Sequence, residues 1–144
     1  MSADQKTLFA SSYDKVFAFG YDGTFDAGGD IQSDKEIITG MANIHHQEYD
    51  HESRELLTPK FQPDWLLVSR GAALNTDPAA NITNGRSTIK YFNIETVTDT
   101  PVDHATEGFI MAAGVRNTVG MAEHPINGTI VSGSSLSGCC ETGN

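Results

Sequence analysis

Phe61-Gln62-Pro63-Asp64-Trp65-Leu66-Leu67-Val68-Ser69-Arg70-Gly71 sets the architecture of this chain. It carries the single tryptophan and the longest run of large apolar side chains. A short apolar run with proline before it and glycine after it reads as a strand covered on both faces. A helix starting at Pro63-Asp64 would be cut to about two turns by Gly71. Residues 64–69 are therefore taken as the central strand, against which the other segments must register.

Flanking segments repeat the strand signal. From Tyr13 to Tyr21 the residues alternate, with Tyr13, Phe17, Phe19 and Tyr21 on one face and Val16 and Ala18 on the other. Asp22-Gly23 is a hairpin turn signal, and Glu36–Met41 reads as a short strand. Thr88–Thr98 has β-branched and aromatic residues on both faces. Glu107–Val115 alternates, with Phe109, Met111, Ala113 and Val115 on one face and thin glycines, Gly108 and Gly114, on the other. A last strand is expected at Thr129–Val131. Residues 42–60 hold no strand pattern and read as a short surface helix or a structured loop. Residues 71–87 form a second long loop.

The fold class that follows is all-β: an antiparallel β-sandwich or barrel with two long loops and at most one short helix. Three units are expected: an N-terminal arm over 1–12, a β domain over 13–131, and a flexible Gly/Ser tail over 132–144. Trp65, Leu67, Phe92, Phe109 and Met111 are the expected core.

The totals bound the function. With 144 residues the chain suits one domain, and 9 basic against 19 acidic residues give a net charge of −10. The basic residues are scattered singly, so nucleic acid and anionic membrane surfaces are poor partners. No segment has the length of a membrane span, and Met1-Ser-Ala-Asp-Gln-Lys6 lacks an apolar signal core. The chain is thus expected to be made and kept in a cytoplasm. The only cysteines, Cys139 and Cys140, are adjacent and match neither zinc nor redox spacing; they read as free thiols on the tail or as a link to a neighbouring chain.

The densest ionisable patch is His45-His46-Gln47-Glu48-Tyr49-Asp50-His51-Glu52, with Arg54-Glu55 behind it. His45, His46, Asp50 and His51 are the metal-ligand candidates, since imidazole and carboxylate together suit zinc. The nearest formal motif, H-E-x-x-H, has Glu55 where its second histidine belongs. A solvated polar loop explains the patch with fewer assumptions. Asp22, Asp26, Asp30 and Asp34 recur every four residues, but a calcium loop started at Asp22 puts Ala27 where glycine is needed. Turn-forming aspartates account for them. Gly133-Ser-Ser-Leu-Ser-Gly138 falls short of a nucleophile elbow because Ser137 occupies the last glycine position. His104 and His124 sit beside turn residues and are expected to be exposed. No catalytic residue, metal or cofactor is assigned.

With its strands placed, the chain resembles small β-rich structural modules of tailed-phage particles, of the capsid-decoration or tail-fibre type. Ser12-Tyr-Asp-Lys-Val-Phe17, Gly23-Thr-Phe-Asp26 and Phe61-Gln-Pro-Asp-Trp-Leu-Leu-Val68 carry the resemblance, over residues 7–70. It departs at the insert 45–60, where such modules turn quickly. The resemblance implies a non-catalytic virion protein, assembled in the host cytoplasm as a homo-oligomer or against other virion proteins. The alternatives are a metal-dependent hydrolase built on the His45–Glu55 patch and a carbohydrate- or surface-binding β-sandwich.

Overall fold

The computed structural model describes residues 1–21, 35–42, 53–73 and 82–134. Two four-stranded sheets and a hairpin make up the fold. The first sheet has the order β1 (Thr7–Ser11), β2 (Val16–Gly20), β3 (Lys35–Thr39), β7 (Val102–Asp103). The second runs β4 (Leu56–Leu57), β5 (Trp65–Arg70), β6 (Thr88–Asn93), β8 (Phe109–Ala113). Between β6 and β7 lies one short helix, α1 (Ile94–Asp99). The hairpin β9 (Thr118–Glu123) and β10 (Ile130–Ser134) forms a separate two-stranded sheet. The chain is all-β with sandwich-like sheets, and the described sheets are open rather than closed into a barrel. All pairings are antiparallel except β3 with β7.

The run at Trp65 is the central strand the sequence predicts. β5 lies between β4 and β6, and only Trp65 of its six residues escapes full burial. Leu66, Val68 and Phe92 of the second sheet meet Val16, Ala18, Ile37 and Ile38 of the first, with Met41 and Val97 closing the core. In β2 the aliphatic face points inward: Val16 and Ala18 are buried, while Phe17 and Phe19 are half-buried and lie 6.3 Å apart.

Three expectations need correction. Phe109 and Met111 are exposed, at 60% and 38%, and Trp65 is half-buried. Strand alternation identified their shared face, but nothing in the described chain covers it. Trp65, Tyr91 and Phe109 instead pack on one another at 5.1–5.8 Å. Thr88–Thr98 is also not one strand. Asn93 caps α1, its side chain accepting from the Thr96 N–H at 3.0 Å, so the strand stops and a helix begins. Finally, β1 forms within the residues read as an arm and pairs with β2 from Thr7 to Ser11. The expected turn at Asp22-Gly23 and about half of the two long loops, 43–52 and 74–81, lie outside the described residues.

Gly108 is required for a physical reason other than a thin strand face. Its φ is +79°, and an added Cβ would lie 2.5 Å from the Phe92 ring. The packing yields a contrast measurable by urea unfolding. Phe92→Ala should cost about 3–5 kcal/mol, as large core deletions do, and Phe109→Ala less than about 1 kcal/mol. Equal losses would place both rings in the core.

Candidate functional site

Toward one end the sandwich core turns polar. In the antiparallel register Val68 opposes Lys90 and Arg70 opposes Thr88, so the face that carries Leu66, Val68 and Phe92 continues into Lys90, Thr88 and Arg70. Arg54 enters from the segment before β4, and His104 follows β7 directly. All five side chains are buried, with His104 fully so.

These cations bind the backbone of the segments around them. Lys90 Nζ donates to the carbonyls of His104 at 2.6 Å, Glu107 at 3.0 Å and Ala105 at 3.2 Å. An ammonium has three donors, so this set is complete. Arg70 donates to the carbonyls of Asn84 at 2.8 Å and Ala42 at 3.0 Å. Arg54 reaches the Met41 carbonyl at 2.9 Å. Thr88 Oγ1 donates to Gly85 O at 2.6 Å, and the His104 N–H donates to Thr39 O at 2.9 Å. Four separate stretches, near 41–42, 53–54, 84–85 and 104–107, are thereby gathered at one end of the core.

His104 lies inside this layer. Its ring is 5.6 Å from that of Phe92, and a Cβ at Gly85 would approach its Nδ1 to 2.9 Å. The Val68 backbone favours the protonated form, yet neither ring nitrogen meets hydrogen-bond geometry with any described residue. Burial above all, then the charges of Lys90, Arg70 and Arg54, lowers the imidazole from 6.5 to about 3. Burial and the charge of Arg70 also lower Lys90, while Asp103 and Glu107 oppose this. The layer places concentrated positive charge inside an acidic chain. It can favour anionic charge nearby and hold loop ends in place.

The sequence expectations meet this site only at its border. His45, His46, Asp50 and His51 lie outside the described residues, as do Asp22, Asp26, Asp30, Asp34, Cys139 and Cys140. Among the described residues no cluster of three or more His, Cys, Asp or Glu side chains is placed to hold a metal. His124 is exposed, its Nδ1 accepting from the Ile126 N–H at 3.3 Å. His104, expected at the surface, is buried instead. Its neighbours Asp103 and Ala105 are turn-like, and only the tertiary approach of Lys90, Gly85 and Phe92 encloses it. Arg54, Arg70 and Lys90 are far apart in sequence and carry no spacing signal.

A family model described as TrAA12-like matches residues 1–137. The pyrroloquinoline quinone-dependent sugar dehydrogenase of Hypocrea jecorina (strain QM6a) is 38% identical over 133 residues, which is 90% of this chain and 29% of that protein. The iodide structure of Trichoderma reesei carbohydrate-active enzyme family AA12 aligns with a TM-score of 0.77 at 38% identity, over 92% of this chain and 31% of that one. The holo form of the quinone domain of Coprinopsis cinerea pyranose dehydrogenase shares the fold, with a TM-score of 0.78 at 24% identity over 92% of this chain and 31% of its own. The chain thus spans about three tenths of the length of the proteins it matches. These likenesses overturn the phage-module resemblance, and with it the virion location and the non-catalytic structural role. Short strands separated by Gly-rich turns are common to many all-β folds, so that pattern did not discriminate.

The buried histidine makes stability depend on pH with a definite sign. The folded chain keeps His104 neutral down to about 3, whereas an unfolded chain protonates it below about 6.5. Its contribution is therefore complete above about 6.5 and is lost as pH falls toward 3. Between about pH 6 and 4 the native chain should lose about 1.4 kcal/mol per pH unit more than His104→Phe does. Urea midpoints across that range measure it, and parallel curves would show an imidazole that titrates normally.

Proposed function

The chain belongs to the TrAA12-like family, and on that premise we propose that it takes part in pyrroloquinoline quinone-dependent sugar oxidation. The observation that carries this reading is the 38% identity, over 90% of the chain, to a protein named for that activity. When bound, such a quinone would take two electrons and two protons from a hydroxyl-bearing carbon of a sugar, leaving a carbonyl compound and the quinol.

The cationic layer suits the charge of this cofactor and not its direct coordination. The quinone is a carboxylate-bearing anion, and Arg54, Arg70 and Lys90 bring positive charge together at one end of the core. Yet they are at most 6% exposed, and all three donors of Lys90 are committed to carbonyls. Their part is to fix the backbone at Met41, Ala42, Asn84 and His104–Glu107 and to bias the local field. Any residue that touches the cofactor must come from elsewhere in the site.

A chimera tests the reading at full domain length. Residues 1–137 would replace the aligned segment of the Hypocrea jecorina dehydrogenase, and quinone-dependent dye reduction would be followed with a panel of sugars. Activity within about tenfold of the parent is expected, a barrier change of no more than about 1.4 kcal/mol. A chimera that folds with the parent's melting temperature but neither binds the quinone nor oxidises any sugar would overturn it.

A further inference from the structure

The tip of the β9–β10 hairpin carries a motif that has no part in sugar oxidation. Asn127-Gly128-Thr129 is a sequon for N-linked glycosylation, in which an asparagine two residues before a threonine is the acceptor. Such matches occur by chance, and only a surface turn that presents the side chain makes one a site. A second match, Asn81-Ile82-Thr83, has its Asn81 outside the described residues.

The turn over 124–129 has the geometry this chemistry needs. The His124 N–H donates to Thr129 O at 2.8 Å and the Gly128 N–H to His124 O at 3.0 Å, which closes the loop between the strands. Gly128 has a φ of +70°, and a Cβ there would lie 3.0 Å from the Phe61 ring, so glycine suits the middle of the motif. Asn127 Oδ1 accepts from the Thr129 N–H at 3.1 Å, an Asx turn within the sequon itself. That bond engages the amide oxygen and leaves Nδ2, the atom to be glycosylated, without an acceptor among the described residues. Asn127 and Thr129 are both exposed. The competing reaction is closure of a succinimide by attack of Gly128 N on Asn127 Cγ. It is disfavoured because that nitrogen is engaged with His124 O.

We propose that Asn127 is the acceptor of an N-linked glycan, donated by a lipid pyrophosphate-linked oligosaccharide in a secretory lumen. Asn127 Nδ2 forms a bond to the anomeric carbon of the transferred sugar. The bond from that carbon to phosphate breaks, and the lipid pyrophosphate leaves as Nδ2 gives up one proton. Two features favour this position. Ile126, 81% exposed, is the most exposed large apolar side chain among the described residues, and a glycan on the next residue covers it. The base of the hairpin, by contrast, meets the polar end of the core: Ser53 Oγ donates to Thr118 O at 3.1 Å, and the Ala72 N–H to Arg116 O at 2.7 Å. The tip lies the length of the six-residue β9 away, roughly 20 Å, so a sugar chain there leaves the cationic layer clear.

Secretion of the full chain from a fungal host behind a cleavable leader provides the material for the test. Digestion with peptide N-glycosidase in heavy-oxygen water, followed by peptide mapping, marks every asparagine that carried a glycan. Most of the secreted chains should release a glycan with the heavy label left at position 127. Asn127→Gln and Thr129→Ala should each abolish that label, and Thr129→Ser, which keeps a hydroxyl, should retain it. Both positions are exposed, so the melting temperatures of these variants should stay within about 2 °C of the parent. A secreted chain with a bare Asn127, or one deamidated there without the heavy label, would overturn the proposal. A glycan found only at Asn81 would do the same. Neither quinone nor sugar substrate enters the measurement, so an inactive chimera would bear on the activity alone.

Discussion

A buried ammonium organises the polar end of this fold. Lys90 projects from β6 into the space between the sheets and gathers the carbonyls of His104, Ala105 and Glu107 at 2.6–3.2 Å. Enclosing a charge this completely is unfavourable unless its hydrogens are met, and charge-assisted bonds to carbonyls meet them. The turn after β7 therefore cannot move away without stranding the cation. His104 is held inside that turn, where burial above all, with the same charge adding to it, keeps its ring neutral. One side chain thus determines where a loop runs, and burial within that loop is the main reason its histidine stays neutral. Lys90→Met should consequently cost more than its buried area suggests, because three carbonyls lose their donor together.

The arginines extend this arrangement. Arg70 reaches Ala42 and Asn84, and Arg54 reaches Met41. Both are attached to the second sheet or its approach, while Met41 and Ala42 follow the first sheet. The two sheets are joined at this end by guanidinium–carbonyl bonds, and elsewhere by the apolar contacts of Leu66, Val68 and Phe92 with Val16 and Ile38. A core that changes from aliphatic to cationic along a single strand ties the carbonyls of several loops to that sheet.

Much of the fold was legible in the sequence. Trp65–Val68 announced the central strand because a short apolar run between proline and glycine has few other readings. The segments at Val16 and Phe109 also form strands where alternation places them, and the short strand expected from Glu36 is found at Lys35–Thr39. What escaped detection was tertiary in origin. Asn93 has the chemistry of a helix cap, but it stands in a run of β-formers, and propensity alone favoured continuing the strand. His104 shows no burial signal because its cover comes from Gly85, Phe92 and Lys90. The cationic layer is spread over fifty residues of sequence, from Arg54 to His104, and only the strand register brings it together. Titratable residues are densest in sequence at His45–His51, and density in sequence is no evidence of convergence in space.

The misjudged burial of Phe109 and Met111 has a different cause. Alternation states which residues share a face, but not whether the same chain supplies the covering layer. The apolar core draws on the two four-stranded sheets' inner strands, on α1 and on Met41, and no residue of β8, β9 or β10 belongs to it. Those three strands contribute edges and apolar surface without contributing to that core. The pattern of β8 therefore reads as interior while its side chains are exposed among the described residues. The charged, converging end and the exposed apolar strand are thus separate consequences of one sheet, the first set by the inward face of β5 and β6 and the second by β8 at its edge.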